Sequence, residues 1–293
     1  MTKTAWVFPG QGSQAIGMGM DLLELPEAMA KFEQAEPILG WSVIEVCQNQ
    51  DDKVSHTLYT QPCLYVVESI LVDLLKAKGQ HPDYVAGHSL GEYSALYAAG
   101  VFGFEDGLRL IKRRAELMDS ASDGMMAALL GFDRPQLERV LAKTSGVVLA
   151  NDNNAGQVVI SGTPEAVETV LTQVTSKRSI RLNISGAFHS PLMADAATQF
   201  KPVLDSVPFA AAQVPVLSNV DPTPSTDPAV LKDRLDRQMT GAVRWREISL
   251  QLPQEGVKRV VEVGPGKVLT GIIKRTCPDL MLENIGRFAD LSS

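Results

Sequence analysis

Ser89 lies in Gly87-His-Ser-Leu-Gly91, a G-x-S-x-G pattern that follows the strand-like Tyr84 to Ala86 and precedes the small-residue, helix-like Tyr93 to Gly100. A serine on a sharp strand-to-helix turn is exposed as a nucleophile, and glycine two positions to either side relieves the crowding at the turn. The amide of Leu90, at the start of that helix, is free to stabilise negative charge on an acyl oxygen. Such a serine needs a base near neutral pH, and the chain has four histidines. His88 adjoins the nucleophile and points elsewhere, while His56, in a polar stretch, and His81, before Pro82, look like surface residues. His189, in Ile184-Ser-Gly-Ala-Phe-His-Ser-Pro-Leu-Met193, is left as the base by elimination. The acid that would orient it stays open: Asp152 fits the chain order serine, acid, histidine, and Asp133 is a second candidate of the same kind.

A second segment could bind negative charge. Phe8-Pro-Gly-Gln-Gly-Ser-Gln-Ala-Ile-Gly-Met-Gly19 is a glycine-rich loop between the apolar run Ala5 to Phe8 and a helical segment. Gly10-x-Gly12-x-x-Ala15 fits a loose dinucleotide fingerprint, in which bare backbone amides approach a pyrophosphate at a helix N-terminus. The alternatives are an oxyanion on a reacting carbonyl, or a tight turn that holds nothing. Against the dinucleotide, a helical stretch from Pro26 to Ile38 comes next, and no second strand ends in an acid where a ribose contact is expected.

The elements around these residues predict two kinds of architecture. Ala5 to Phe8, Tyr84 to Ala86, Val214 to Leu217 and Val257 to Val263 are short apolar strands separated by helical stretches, as in a parallel sheet covered on both faces. From Met125 the pattern changes to strand (Met125 to Leu130), helix (Arg134 to Lys143), strand (Val147 to Ala150), strand (Gln157 to Ser161), helix (Pro164 to Thr175) and strand (Ser179 to Ile184). That is the βαββαβ order of a ferredoxin-like unit. The expected fold is therefore α/β: a hydrolase-like large domain with a parallel sheet, residues 1–123 and 187–293, interrupted by a ferredoxin-like small domain, residues 124–186. A cleft between the two is the expected place for a site, and His189 falls where the chain re-enters the large domain.

With 293 residues, of which 45% are hydrophobic and 21% charged, the chain can bury a large core. A net charge of −7 argues against general nucleic-acid binding. The small-and-apolar run Ala95 to Phe104 is about half the length of a membrane span, and no signal-type apolar region precedes the first strand, so neither membrane partner nor export is expected and the cytoplasm is the predicted location. Cys47, Cys63 and Cys277 have no pair spacing, which predicts buried free thiols rather than disulfides or a structural metal site. Basic residues cluster at Lys112-Arg113-Arg114, at Lys177-Arg178 with Arg181, at Arg244 with Arg246, and at Lys274-Arg275.

Four segments in order, Phe8-Pro-Gly-Gln-Gly-Ser-Gln14, Gly87-His-Ser-Leu-Gly-Glu-Tyr93, Ala187-Phe-His-Ser190 and Glu262-Val-Gly-Pro-Gly-Lys-Val-Leu269, closely resemble those of malonyl-CoA:acyl carrier protein transacylases. The resemblance spans essentially the whole chain. Acyltransferase domains of polyketide and fatty acid synthases share the pattern; with no ketosynthase or carrier domain attached, a free-standing type II enzyme of fatty acid elongation is implied. The resemblance implies malonyl transfer from malonyl-CoA to the phosphopantetheine thiol of acyl carrier protein, with no cofactor and no metal. It implies an oxyanion hole from the backbone amides of Gln11 and Leu90, which decides the glycine-rich loop against a dinucleotide. It implies that Arg114, aligned through Arg114-Ala-Glu-Leu-Met118, holds the malonyl carboxylate with two parallel charge-assisted bonds, leaving Arg113 to face solvent. It implies that His189 is oriented by the main-chain carbonyl of Gln238 instead of a carboxylate, and that Phe188 belongs to the malonyl-preferring form of its segment. Asn151 and Asn153 are expected only as lining of the cleft. A serine hydrolase that releases free malonate and a non-catalytic binder of CoA or carrier remain as rival classes.

Overall fold

The computed structural model describes residues 2–121, 123–184 and 186–292. Nine strands lie among them: β1 (Lys3–Phe8), β2 (Tyr84–Gly87), β3 (Met125–Phe132), β4 (Val147–Asn154), β5 (Gln157–Gly162), β6 (Ser176–Arg181), β7 (Val216–Leu217), β8 (Val257–Val263) and β9 (Met281–Ile285). Five form one parallel sheet in the order β7-β2-β1-β8-β9. From β1 the chain adds β2 and β7 on one side, then returns with β8 and β9 on the other. Ligands of doubly wound sheets bind beyond the carboxyl ends of the strands where the order reverses, which here are the ends of β1, β2 and β8.

The central strand shows why the sheet is covered twice. Trp6 and Phe8 pack into one hydrophobic cluster, Ala5 and Val7 into another on the opposite face, as the two-residue period of a strand requires. The first cluster is built around the helix Thr57–Ala77, and the second around the helices Trp245–Gln254 and Val268–Thr276. Thr57–Ala77 is long and apolar enough to cross a membrane by length and composition alone, yet 83% of its 18-residue apolar window is buried inside the protein. Cys47, Cys63 and Cys277 are buried free thiols.

The other four strands form an antiparallel sheet in the order β4-β5-β3-β6, and the helices Arg134–Leu141 and Pro164–Gln173 complete a βαββαβ unit with its own core around Leu129, Leu137, Ile160 and Val167. The fold is thus α/β, a parallel-sheet body with a ferredoxin-like unit inserted. The expected changeovers at 123/124 and 186/187 adjoin Ser122 and Ser185, which lie outside the described residues. Of the elements whose ends differ from the sequence expectation, β6 and β4 differ most. β6 runs from Ser176 to Arg181, not from Ser179 to Ile184, because its polar residues pair as an edge along β3; Leu182 still donates its amide to the Met126 carbonyl of β3 at 2.9 Å, and with Asn183 and Ile184 it lines a cleft. β4 continues past Ala150 to Asn154 through two irregularities of register.

The tail of β4 also touches the large body. Val243 donates its amide to Ala150 at 2.8 Å and accepts from the Asp152 amide at 3.0 Å. His88, beside the nucleophile, reaches Asn153 with its Nε2 at 2.9 Å.

Candidate active site

Ser89 leaves the end of β2 on a turn whose geometry demands the flanking glycines. Its φ of 53° is left-handed, a conformation that strains a side-chain-bearing residue. A Cβ on Gly87 would come within 1.9 Å of the Gly91 carbonyl, and one on Gly91 within 2.1 Å of the Phe8 carbonyl oxygen. The elbow is therefore pressed against the end of β1. Asn219, just past β7, clamps it: its Oδ1 accepts from the Ser89 amide at 2.7 Å and its Nδ2 donates to the Gly87 carbonyl at 2.6 Å.

His189 comes from the connection that follows the inserted unit and also has a left-handed φ, 58°. It is 4% exposed. Its Nε2 is 2.7 Å from the Ser89 Oγ, and its Nδ1 faces two carbonyls, Gln238 at 3.0 Å and Gly241 at 3.1 Å. Carbonyl oxygens only accept, so Nδ1 carries the hydrogen and Nε2 is left to accept from the serine hydroxyl. Burial is the main cause that pushes the His189 pKa down to about 3; the Arg114 charge adds to it and the Gln238 carbonyl opposes it. The imidazole is neutral at pH 7.

Arg114 reaches the same point from the helix Phe104–Asp119. Ile111, Arg114, Ala115 and Met118 form the buried stripe of that helix, at the three- and four-residue spacing of one face. Arg113, off the stripe, is part-exposed and pairs with Glu116. Arg114 is 1% exposed, and its Nη2 donates to the Ser89 Oγ at 3.0 Å and to the Gln238 Oε1 at 3.1 Å, while Nη1 donates to the Gln61 Oε1 at 2.6 Å. The guanidinium carbon lies 5.5 Å from the Tyr93 ring centroid. Its Nε has no partner among the described residues. A buried cation at the nucleophile whose direct hydrogen-bond partners are all neutral is arranged to receive an anion.

The loop after β1 closes the other side. Gln11 is fixed through its side-chain amide, which donates to the Thr57 hydroxyl at 3.0 Å, and the Gln11 and Leu90 amides have no acceptor among the described residues. Both residues line a cleft of about 430 Å³ together with Ser89, Arg114, His189 and Phe188, which is 5% exposed. Asn151, Leu182 and Ile184 of the inserted unit form its opposite wall. Asn153, expected beside Asn151, is buried against His88.

The acids weighed for a triad are elsewhere. Asp152 is bound by Arg134 at 2.7 Å and faces Arg246 at 3.7 Å, and Asp133 caps the helix Arg134–Leu141. Sequence reasoning missed Gln61, Glu92 and Asn219. Glu92 lies within the elbow segment, but nothing in its spacing says that it turns inward; Gln61 and Asn219 carry no signal beyond being polar residues next to apolar runs.

The acyl transferase domain family matches residues 5–287. The chain is 59% identical over 291 residues to a malonyl CoA-acyl carrier protein transacylase of Synechocystis, covering 99% of each chain, and superposes on the crystal structure of a Synechocystis malonyl-CoA:ACP transacylase with a TM-score of 0.97. It is 42% identical to a Bacillus subtilis relative of the same name, over 94% of this chain and 90% of that one. A malonyl-transacylase solved in complex with its type II polyketide acyl-carrier protein is 34% identical, covers 99% of this chain and 98% of that one, and has a TM-score of 0.93.

Proposed function

This chain belongs to the acyl transferase domain family, and on that premise we propose that it moves a malonyl group from malonyl-CoA to the phosphopantetheine thiol of acyl carrier protein through a malonyl-serine, supplying fatty acid elongation in the cytoplasm. The observation that carries the reading is a buried arginine 3.0 Å from a serine that is itself 2.7 Å from an unprotonated imidazole nitrogen. A hydrolase of neutral esters has no use for a cation there; an acyl group that ends in a carboxylate does.

In the first half-reaction the Ser89 Oγ attacks the thioester carbonyl while His189 Nε2 takes the hydroxyl proton. The tetrahedral oxyanion is received by the amides of Gln11 and Leu90, the carbon–sulfur bond breaks, and His189 returns the proton to the departing CoA thiolate. The second half runs the same steps backwards, with the carrier's thiol as nucleophile. Arg114 holds the malonyl carboxylate and Phe188 walls the acyl site. Gln238, through its main-chain carbonyl, keeps His189 in the tautomer that both halves need.

Carrier docking is assigned to exposed basic residues, since carrier proteins of this kind are acidic. Arg181 is already bound to Glu168 by two hydrogen bonds, at 2.6 and 2.7 Å, which leaves Lys177 with Arg178, and Lys274 with Arg275, as the candidate contacts. The test of the whole reading is intact-protein mass spectrometry after addition of malonyl-CoA. One malonyl adduct on the wild type and none on Ser89→Ala is the expected result; an adduct that survives the substitution refutes the assignment of the nucleophile.

A further inference from the structure

We propose that Glu92 is a positioning residue for this reaction, the acid of the site acting through Gln238 and Asn219 instead of on the histidine itself. The inference rests on the acyl-transfer reading only for the identity of the reaction.

Glu92 sits in the first turn of the helix Gly91–Ala98 and is 1% exposed. Its Oε2 accepts from the Gln238 Nε2 at 2.8 Å and from the Asn219 main-chain amide at 3.1 Å. Those two residues hold nearly every reacting group. Gln238 donates from the same Nε2 to the Ser89 carbonyl at 2.9 Å, accepts from Arg114 on its Oε1, and takes the His189 Nδ1–H on its main-chain oxygen. Asn219 bonds the two peptide groups that flank His88 and lead into the nucleophile, at the Gly87 carbonyl and the Ser89 amide.

Gln238 is the last residue of the helix Pro228–Gln238. Helix ends fray, and a glutamine side chain has three free torsions. A carboxylate at its amide removes that freedom. Burying a carboxyl group is costly unless its hydrogen bonds are made; burial raises the Glu92 pKa, its Oε1 has no partner among the described residues, and the group is held through Oε2, both of whose donors belong to the catalytic frame. Asp152 could not do this, being bound by Arg134 of the inserted unit and facing Arg246 of the helix Trp245–Gln254.

The role makes reach and accepting power matter more than charge. Glu92→Gln keeps an acceptor at the same distance, Glu92→Met keeps the volume and removes it, and Glu92→Asp keeps the charge but withdraws it by one methylene. With full-length protein, kcat for malonyl transfer should fall about 10- to 100-fold in Glu92→Met and Glu92→Asp with KM for malonyl-CoA within about twofold, the scale of a small misplacement of reacting groups. Glu92→Gln should stay within about threefold. Whichever of the Met and Asp variants is folded by circular dichroism carries the test. Labelling of Ser89 by a fluorophosphonate, which needs no malonyl group, should follow the same order. If malonyl-CoA leaves the wild type unacylated but that order holds, the substrate assignment falls and the role of Glu92 stands. A folded Met or Asp variant that transfers and labels at the wild-type rate overturns the proposal, as does a Gln variant that loses as much as they do, or a loss confined to KM.

Discussion

Arg114 places its Nη2 3.0 Å from the Ser89 hydroxyl oxygen, so the cation and the nucleophile share one spot. In a malonyl thioester the carboxylate lies two carbons from the carbonyl under attack, and a guanidinium adjoining the serine matches that separation. Arg114→Ala should therefore lower kcat/KM for malonyl-CoA by about 10- to 100-fold, the loss of a charge-assisted pair of about 1.5–3 kcal/mol. Acylation by acetyl-CoA, which offers no carboxylate, should not fall with it. Steady-state assays with both thioesters decide the matter, and an unchanged malonyl-to-acetyl ratio removes Arg114 from its role.

The neutral His189 gives a pH signature with a definite sign. Its pKa is about 3 in the folded protein and ~6.5 in an unfolded chain, so unfolding takes up a proton between those values. Stability from keeping the imidazole neutral is whole above pH ~6.5 and drains as pH falls toward 3, reaching a loss of about 2 kcal/mol by pH 5. In denaturant titrations across pH 4–8, wild type should lose about 2 kcal/mol more than His189→Gln between pH 8 and pH 5. The same shift keeps the base competent in acid, so the acid limb of kcat/KM should lie well below 6.5. A limb at 6.5 would mean that the imidazole titrates as if exposed.

The elbow predicts a mutation intolerant of even one methyl. A Cβ on Gly91 would meet the carbonyl oxygens of Phe8 at 2.1 Å and Pro9 at 2.6 Å, the first on the strand residue that pairs with Gly87 in the parallel sheet. Gly91→Ala should destabilise the fold by about 3 kcal/mol or more, a fall in Tm on the order of 10 °C for a chain of this size. A variant with wild-type Tm and wild-type acylation would show that the turn relaxes freely.

Those three sites differ in how far the sequence exposed them. Ser89 was legible because the glycine spacing and the strand-to-helix switch are local. His189 could be reached only by counting histidines, and Arg114 only through the resemblance, although the buried stripe of its helix now supplies the local reason. The frame behind them was not legible: Glu92 meets Gln238 across 146 positions and Asn219 across 127, and no periodicity encodes a hydrogen bond at such separations. The helix Thr57–Ala77 and the edge strand β9 also went unnamed. That helix is buried nearly all round, so it has no polar face to mark its period, and β9 is a short edge half open to solvent.

Asp152 offers a test of the alternative that the sequence left open. An orienting acid would touch the imidazole, yet this carboxylate is bound to Arg134 at 2.7 Å and to no histidine. The carboxylate also faces Arg246 of the helix Trp245–Gln254 at 3.7 Å, beside the main-chain bond from the Asp152 amide to the Val243 carbonyl at 3.0 Å, so its charge helps to hold β4 against the large body. Asp152→Asn should leave fluorophosphonate labelling of Ser89 within about twofold of wild type, because the serine, imidazole and guanidinium keep their partners. KM for malonyl-CoA should rise instead, through the loosened Asn151 wall of the cleft. A drop in labelling of the order of 10⁴, as for a lost triad acid, would return Asp152 to the catalytic frame.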